Sequence, residues 1–272
     1  MKAAATRLAL ILFALTILFP LVWVLVSSLK TGSEIFSSPW QLPKSPQWQN
    51  YGEAWSEAGI GRNFINSVLA TVFTLLILVP ASAMAAYIFA RYPFRGSRIL
   101  FGGFLGGMMF PNFLVIVPLF FLLRSLHLFD TMTGLVLVYV AYSLSFTIFV
   151  LSGFFETIPT ALAEAAKIDG CGHANTFWRV MLPLAKPGIL VVAIFNAIGL
   201  WNEYNLALVL IPSEQNKTLP LGIANLVMTQ HYQSNWGALF AALVIVMLPM
   251  MIVYWIFREK IYETMLAGAL KG

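Results

Sequence analysis

The sequence predicts an all-α membrane protein in which six helices cross a bilayer and a helix–turn–helix loop lies on the cytoplasmic side. Its composition is the first reason: 60% of the 272 residues are hydrophobic and only 10% are charged, with a mean hydropathy of +0.83. Soluble domains carry about a quarter charged residues, so a water-soluble core is a poor explanation of this composition. The second reason is six apolar segments of about 20 residues, the length that a helix needs to cross the hydrocarbon core. We expect residues 1–272 to form a single domain.

The six predicted spans each contain a long run with few charged side chains. They are Leu8–Leu29, Phe64–Ala90, Ile99–Leu123, Thr133–Gly153, Gly188–Ile211 and Gly237–Phe257. The apolar run of the first span is too long for a cleavable signal peptide, so we expect an uncleaved helix. In the third span, Pro111 is expected to break the helix, and the two G-x-x-x-G spacings between Gly102 and Gly107 predict close helix packing.

The distribution of basic residues predicts the orientation of these spans. Most of the 16 lysines and arginines fall in segments that share a side with the N-terminus. Because cytoplasmic loops are enriched in Lys and Arg, both termini are predicted to be cytoplasmic. The formal net charge of +5 is then a consequence of topology, and no nucleic-acid partner is expected.

The polar segment Phe154–Pro187 separates the fourth span from the fifth, and it is the most informative part of the chain. Thr160–Asp169 suits a helix, and Gly170 is well placed to end it because glycine adopts the left-handed conformation at low cost. A second short helix is expected to start at Asn175 or Thr176 as its N-cap and to end before Pro187. We therefore predict a helix–turn–helix on the cytoplasmic face.

The first of these helices has features that suit a protein partner. Leu162, Ala165 and Ala166 are expected to form one face, on which small side chains let a partner approach the backbone. The carboxylate of Glu164 offers an acceptor for an arginine of that partner. An interfacial amphipathic helix is the alternative that this spacing leaves open.

The order Glu164-Ala165-Ala166, Gly170, Val180 and Leu182-Pro183 resembles the EAA loop of ABC-importer permeases, with valine in place of isoleucine at position 180. Further segments resemble the carbohydrate-uptake branch, and within it the second permease subunit of the maltose-importer type. These segments are Ser28-Leu29-Lys30, Asn50-Tyr51, Asn66-Ser67 and Trp201-Asn202-Glu203.

The resemblance implies a permease subunit in a bacterial or archaeal plasma membrane. The implied partners are a second homologous permease, a pair of cytoplasmic ATPase subunits, an extracytoplasmic solute-binding protein and membrane lipid. The residues that it assigns to ATPase docking are Glu164, Ala165, Ala166, Asp169, Gly170, Arg179 and Pro183. The solute is expected to be a sugar or a sugar-like compound, and a polyol phosphate is the alternative.

The chain carries no motif for chemistry of its own. It contains no G-x-x-x-x-G-K-[ST] phosphate loop, so ATP and Mg²⁺ are expected to be used by the partner ATPases and no cofactor by this chain. The lone Cys171 and three histidines in separate segments predict no metal site. An intramembrane enzyme would need a nucleophile–base pair, and a self-sufficient secondary transporter would show repeats and several buried charges. Neither pattern is present in the sequence.

One acidic residue, Glu203, falls inside a predicted span. An ionisable group in hydrocarbon is costly, so it is expected to face a cavity or a partner. We considered two roles for it: lining a sugar path beside Trp201, or capping a neighbouring helix near the outer mouth. The full set of candidate path residues is Trp201, Asn202, Glu203, Asn205, Asn112 and Asn196.

Overall fold

The computed structural model describes the backbone of residues 2–233 and 235–269 and the side chains of residues 5–111, 113–228 and 235–259. Within these ranges all regular structure is helical, so the all-α prediction is confirmed. The tail beyond residue 269 and the side chain of Asn112 lie outside the described residues. The helices are α1 (Lys2–Ser27), α2 (Gly32–Ser37), α3 (Gln49–Gly52), α4 (Ile60–Arg91), α5 (Ser97–Met109), α6 (Asn112–Ser125), α7 (Met132–Thr157), α8 (Thr160–Ile168), α9 (His173–Leu184), α10 (Lys186–Trp201), α11 (Asn205–Leu210), α12 (Leu219–Gln233) and α13 (Trp236–Ala269).

Four helices, α1, α4, α7 and α13, are each long and apolar enough to cross a membrane. Two bent pairs, α5 with α6 and α9 with α10, bring the number in the described residues to six if each pair is one span. The first pair bends by 106° next to Pro111, which confirms the predicted break. Proline lacks a backbone N–H and disfavours the helical conformation of the residue before it; Phe110 accordingly has extended dihedral angles.

The predicted fifth span, Gly188–Ile211, is wrong as one continuous helix. Helix α10 ends at Trp201, and the chain turns through three residues before the short helix α11 begins. Helix α12 was not predicted from the sequence, because its apolar run is too short for a span. A helix of that length is stabilised by its neighbours and has no strong signal of its own.

The chain divides into two compact units. The first unit contains residues 1–65 and 218–252. In it, the side-chain amide of Asn50 donates to the carbonyls of Ser28 and Lys30, both at 2.9 Å. The hydroxyls of Ser28 and Tyr51 are 2.7 Å apart, and the buried Lys30 ammonium donates to the carbonyls of Ser38 and Pro39. The segments Ser28-Leu29-Lys30 and Asn50-Tyr51, which carry part of the family resemblance, thus hold the loop that follows α1 in place.

The second unit contains residues 66–217 and 253–272. One of its hydrophobic clusters joins α4, α7, α9 and α10 beneath the helix–turn–helix, with Tyr87, Phe155 and Met181 among its buried members. Close approaches are made through glycine: a Cβ atom at Gly188 would lie 2.4 Å from the ring of Phe154. Of the predicted G-x-x-x-G glycines, Gly107 faces Ser145 of α7, whereas the other three have open space around them.

Candidate functional site

The first helix of the polar loop ends in a Schellman motif. Helix α8 runs Thr160–Ile168, within one residue of the prediction, and Gly170 has φ +81°. The Gly170 N–H donates to the carbonyl of Lys167 at 3.0 Å, and the Cys171 N–H donates to that of Ala166 at 2.9 Å. These two bonds satisfy carbonyls that a helix end otherwise leaves unpaired. The predicted glycine stop is confirmed.

The face that α8 turns inward differs from the predicted one. Ala166 is buried and Ala163 packs against the cluster below, whereas Leu162 and Ala165 are exposed. Residues three apart share one side of a helix, so the inner stripe runs through Ala163 and Ala166. Ala166 therefore packs inside the loop, and of the two adjacent alanines only Ala165 is open to a partner.

The outer surface of the loop combines charge with apolar area. Glu164, Asp169 and Gly170 are exposed, and Ile168 next to them is 86% exposed. Among the described residues no side chain forms an ion pair with Glu164. A charged acceptor beside bare apolar surface is suited to a protein contact, because an arginine can bind a carboxylate through two parallel bonds.

The second helix of the loop, α9, begins earlier than predicted. It starts at His173 with Gly172 as its N-cap, and neither Asn175 nor Thr176 caps it. The Thr176 hydroxyl instead donates back to the carbonyl of Gly172 at 3.1 Å, a bond typical of a threonine inside a helix.

A π-helical turn, Phe177–Met181, interrupts α9. It directs Phe177 and Met181 into the cluster below and leaves Trp178 and Arg179 exposed, with Pro183 exposed one turn later. The outward-facing residues of α8, of α9 and of the turn between them form what we call the docking surface: Glu164, Ala165, Ile168, Asp169, Gly170, Trp178, Arg179 and Pro183.

Two residues that were not predicted from the sequence, Arg91 and Tyr92, support this surface. Arg91, the last residue of α4, donates through Nη2 to the carbonyls of Phe155 and Ile158 at the end of α7. The hydroxyl of its neighbour Tyr92 lies 3.0 Å from Nδ1 of His173. Both contacts join residues more than 60 positions apart, so no local pattern could have predicted them.

In the fifth predicted span, Glu203 caps a helix and braces another one. Its carboxylate accepts the backbone N–H groups of Leu206 at 2.7 Å and Ala207 at 3.1 Å, at the start of α11. It also accepts the hydroxyl of Tyr139 in α7 at 2.7 Å. Both carboxylate oxygens thus accept hydrogen bonds within the chain. Of the two roles considered for Glu203, lining a sugar path or capping a neighbouring helix, this geometry matches the capping role.

The other candidate path residues have different surroundings. Trp201 is buried, Asn205 is exposed, and the amide of the exposed Asn202 donates to the carbonyl of Ile198 in its own helix. The buried amide of Asn196 donates to Thr147 of α7 at 3.0 Å and to the carbonyl of Val192. Their contact with a solute stays a prediction.

Comparison with known proteins gives consistent matches. Residues 79–261 match the family model described as binding-protein-dependent transport system inner membrane component. The diacetylchitobiose uptake system permease of Streptomyces coelicolor is 42% identical, with 99% of this chain and 89% of that protein covered. The trehalose transport system permease of Mycobacterium tuberculosis is 35% identical, with 94% and 93% covered.

A solved structure matches nearly the whole chain. A chain of the bacterial ABC transporter involved in the import of the acidic polysaccharide alginate superimposes with a TM-score of 0.81 at 25% identity. The match covers 94% of this chain and 95% of that one.

Proposed function

Because this chain belongs to the family of binding-protein-dependent transport system inner membrane components, we propose that it is a permease subunit of a sugar ABC importer. The named substrates of its relatives, diacetylchitobiose and trehalose, support a sugar as solute. Small oligosaccharides are the substrate class that these two relatives have in common. A self-sufficient secondary transporter is not favoured, since the matched family is binding-protein-dependent.

The importer needs further chains. A second homologous permease completes the pathway, an extracytoplasmic solute-binding protein delivers the sugar, and a pair of ATPase subunits binds ATP and Mg²⁺. This chain itself binds no cofactor. It lies in a bacterial or archaeal plasma membrane with both termini in the cytoplasm, which places the docking surface on the ATPase side.

The mechanism is alternating access. Closure of the ATPases on ATP pulls the docking surfaces of the two permeases together, so the cavity between the permeases opens outward to the loaded binding protein. Hydrolysis lets the two permeases return, and the sugar leaves inward. Such coupling requires ATP to bind one conformation better than the other, and a rigid link must carry that difference into the membrane.

The observation that carries this proposal is the docking surface. Its helix end is fixed by the two Schellman bonds, and its Ala166 stripe is packed against the hydrophobic cluster. Ile168 nevertheless remains exposed beside the exposed carboxylate of Glu164, although an apolar side chain gains nothing from contact with water in an isolated chain. A rigid base with an exposed carboxylate and apolar area is what an ATPase subunit would need in order to grip this chain.

The substitution Glu164→Arg tests the proposal. It should insert into the membrane as wild type does, yet co-purify with less ATPase and lower the uptake of a labelled panel of diacetylchitobiose, trehalose and maltotriose. The matched control is Glu156→Arg, the same charge reversal at an exposed position of α7 outside the docking surface. Wild-type ATPase recovery and uptake in Glu164→Arg would contradict the proposed docking role.

A further inference from the structure

At the end of α4, Arg91 binds the end of α7 and the next residue, Tyr92, contacts both helices of the docking surface, whereas a third residue near the start of α4 holds the loop at the other end of the unit. We propose that Arg91, Tyr92 and Asn66 are positioning residues that make α4 the link between the docking surface and that distant loop. The inference rests on the proposed function, because it concerns how movement of the ATPases reaches the far side of the membrane.

Arg91 binds the end of α7, at the point where the chain continues into the docking surface. The carbonyls of Phe155 and Ile158 belong to the last turn and C-cap of α7, and Pro159 then leads into α8. Carbonyls at a helix end carry partial negative charge and have few partners within the helix, so a guanidinium is a strong donor for them; the Phe155 carbonyl also accepts the backbone N–H of Ile158 at 3.3 Å. Nη2 binds both carbonyls, and any shift of this junction must therefore move the end of α4 or break charged hydrogen bonds.

Tyr92 extends the same attachment to the other docking helix. Its hydroxyl is 3.0 Å from Nδ1 of His173, the first residue of α9, and the centres of the two rings are 5.3 Å apart. The ammonium of Lys167, in the last turn of α8, lies 5.6 Å from the centre of the Tyr92 ring, within cation–π range. Tyr92, the residue that follows α4, thus touches the start of α9 and the end of α8 through a single side chain.

Asn66 makes the corresponding contact at the other end of α4. Its amide nitrogen donates to the carbonyls of Gln215 and Lys217, both at 2.9 Å, in the loop between α11 and α12. Asn66 and Arg91 are 25 positions apart in one uninterrupted helix, or roughly 38 Å at 1.5 Å per residue. That distance exceeds the thickness of the hydrocarbon core, so one element joins structures on both sides of the membrane.

The middle of α4 is braced against bending. Pro80 removes one hydrogen bond from the helix. The residues around it that face inward, Leu78, Ala83 and Ala86, are completely buried. Tight packing leaves little room for a bend to absorb a displacement, so movement at one end should appear at the other.

The test uses the complete importer in proteoliposomes and measures two quantities: ATPase co-purification, and sugar accumulated per ATP hydrolysed. Arg91→Met and Asn66→Ala should each lower the sugar-to-ATP ratio by about fivefold or more. Asn66→Ala should leave ATPase co-purification unchanged, because position 66 is far from the docking surface. Tyr92→Phe, which keeps the ring and removes the hydroxyl, should have a smaller effect in the same direction.

Arg95→Met is the matched control, since it removes the same charge from an exposed position four residues later. It should transport like wild type. A wild-type sugar-to-ATP ratio in both Arg91→Met and Asn66→Ala would overturn the inference. It would also be overturned if Asn66→Ala transported normally and the transport defect of Arg91→Met were explained wholly by reduced ATPase co-purification. A wild-type complex without ATP-dependent uptake would instead contradict the proposed function itself, so the two failures are distinguishable.

Discussion

Replacing Gly170 by valine should weaken the docking surface without affecting membrane insertion. Gly170 has φ +81°, a conformation in which an L-residue brings its Cβ atom too close to its own backbone. Apart from its two chain neighbours, no residue has a heavy atom within 4 Å of a Cβ atom built at this position. The penalty for adding that Cβ atom therefore arises from the backbone conformation and not from a clash with packed neighbours.

The magnitude follows from two routes that the chain can take. If a substituted residue keeps the left-handed conformation, the strain is about 1–2 kcal/mol. If it leaves that conformation, the bonds to the carbonyls of Lys167 and Ala166 are lost, at about 1 kcal/mol each. Either way the ordered loop loses about 1–2 kcal/mol, which corresponds to a roughly fivefold to thirtyfold weaker affinity for the ATPase.

The assay is titration of purified ATPase onto the permease pair in nanodiscs. Affinity should fall in the order glycine, asparagine, alanine, valine at position 170, because asparagine tolerates the left-handed region and a β-branched residue does not. Gly172→Ser is the control: position 172 is equally open but has φ −68°, and serine is a favoured residue at a helix N-cap. A loss for Gly172→Ser as large as that for Gly170→Ala, or wild-type affinity for Gly170→Val, would refute this reasoning.

Three further predictions concern other parts of the chain. Glu203→Gln should lower the free energy of unfolding by about 1.5–3 kcal/mol, and Tyr139→Phe should lower it by about 1 kcal/mol, as measured by thermal melting. If Glu203→Gln has wild-type stability but an altered sugar preference, Glu203 lines the sugar path instead. Cys171, the only thiol, should react with a membrane-impermeant maleimide in inside-out vesicles, and labelling of intact cells would contradict the topology. The backbone N–H of Thr31 donates to the Glu34 carboxylate and holds its pKa below the usual range, so this cap is present at neutral pH and lost as the pH falls through the lowered pKa. Glu34→Gln should therefore flatten the acid dependence of stability, and an unchanged acid dependence would argue against this cap.

The features that the sequence analysis predicted correctly have local causes. Gly170 ends α8 because glycine alone adopts the left-handed turn without strain, and that preference is visible in a single residue. Pro111 interrupts the third span because it lacks a backbone N–H. The composition and the EAA-type spacing indicated the family, which the match over residues 79–261 confirms.

The features that the sequence analysis missed depend on contacts between distant segments. The buried stripe of α8 is set by the cluster beneath it, which favours Ala163 with Ala166 over the predicted face. The break after Trp201 is stabilised by Glu203, whose third partner, Tyr139, is 64 positions away. The attachment of Arg91 to the end of α7 spans a similar separation, and no window of sequence contains both partners.

Reconstitution with and without the ATPase subunits is the most direct test of the central claim, that an external ATPase drives this chain through its docking surface. The permease pair, the binding protein and labelled sugar are placed in vesicles, and the sugar concentration inside is compared with that outside. The account predicts accumulation against a gradient only when the ATPase pair and ATP are both present, with no accumulation when either is omitted. Accumulation by the permease pair alone would contradict it.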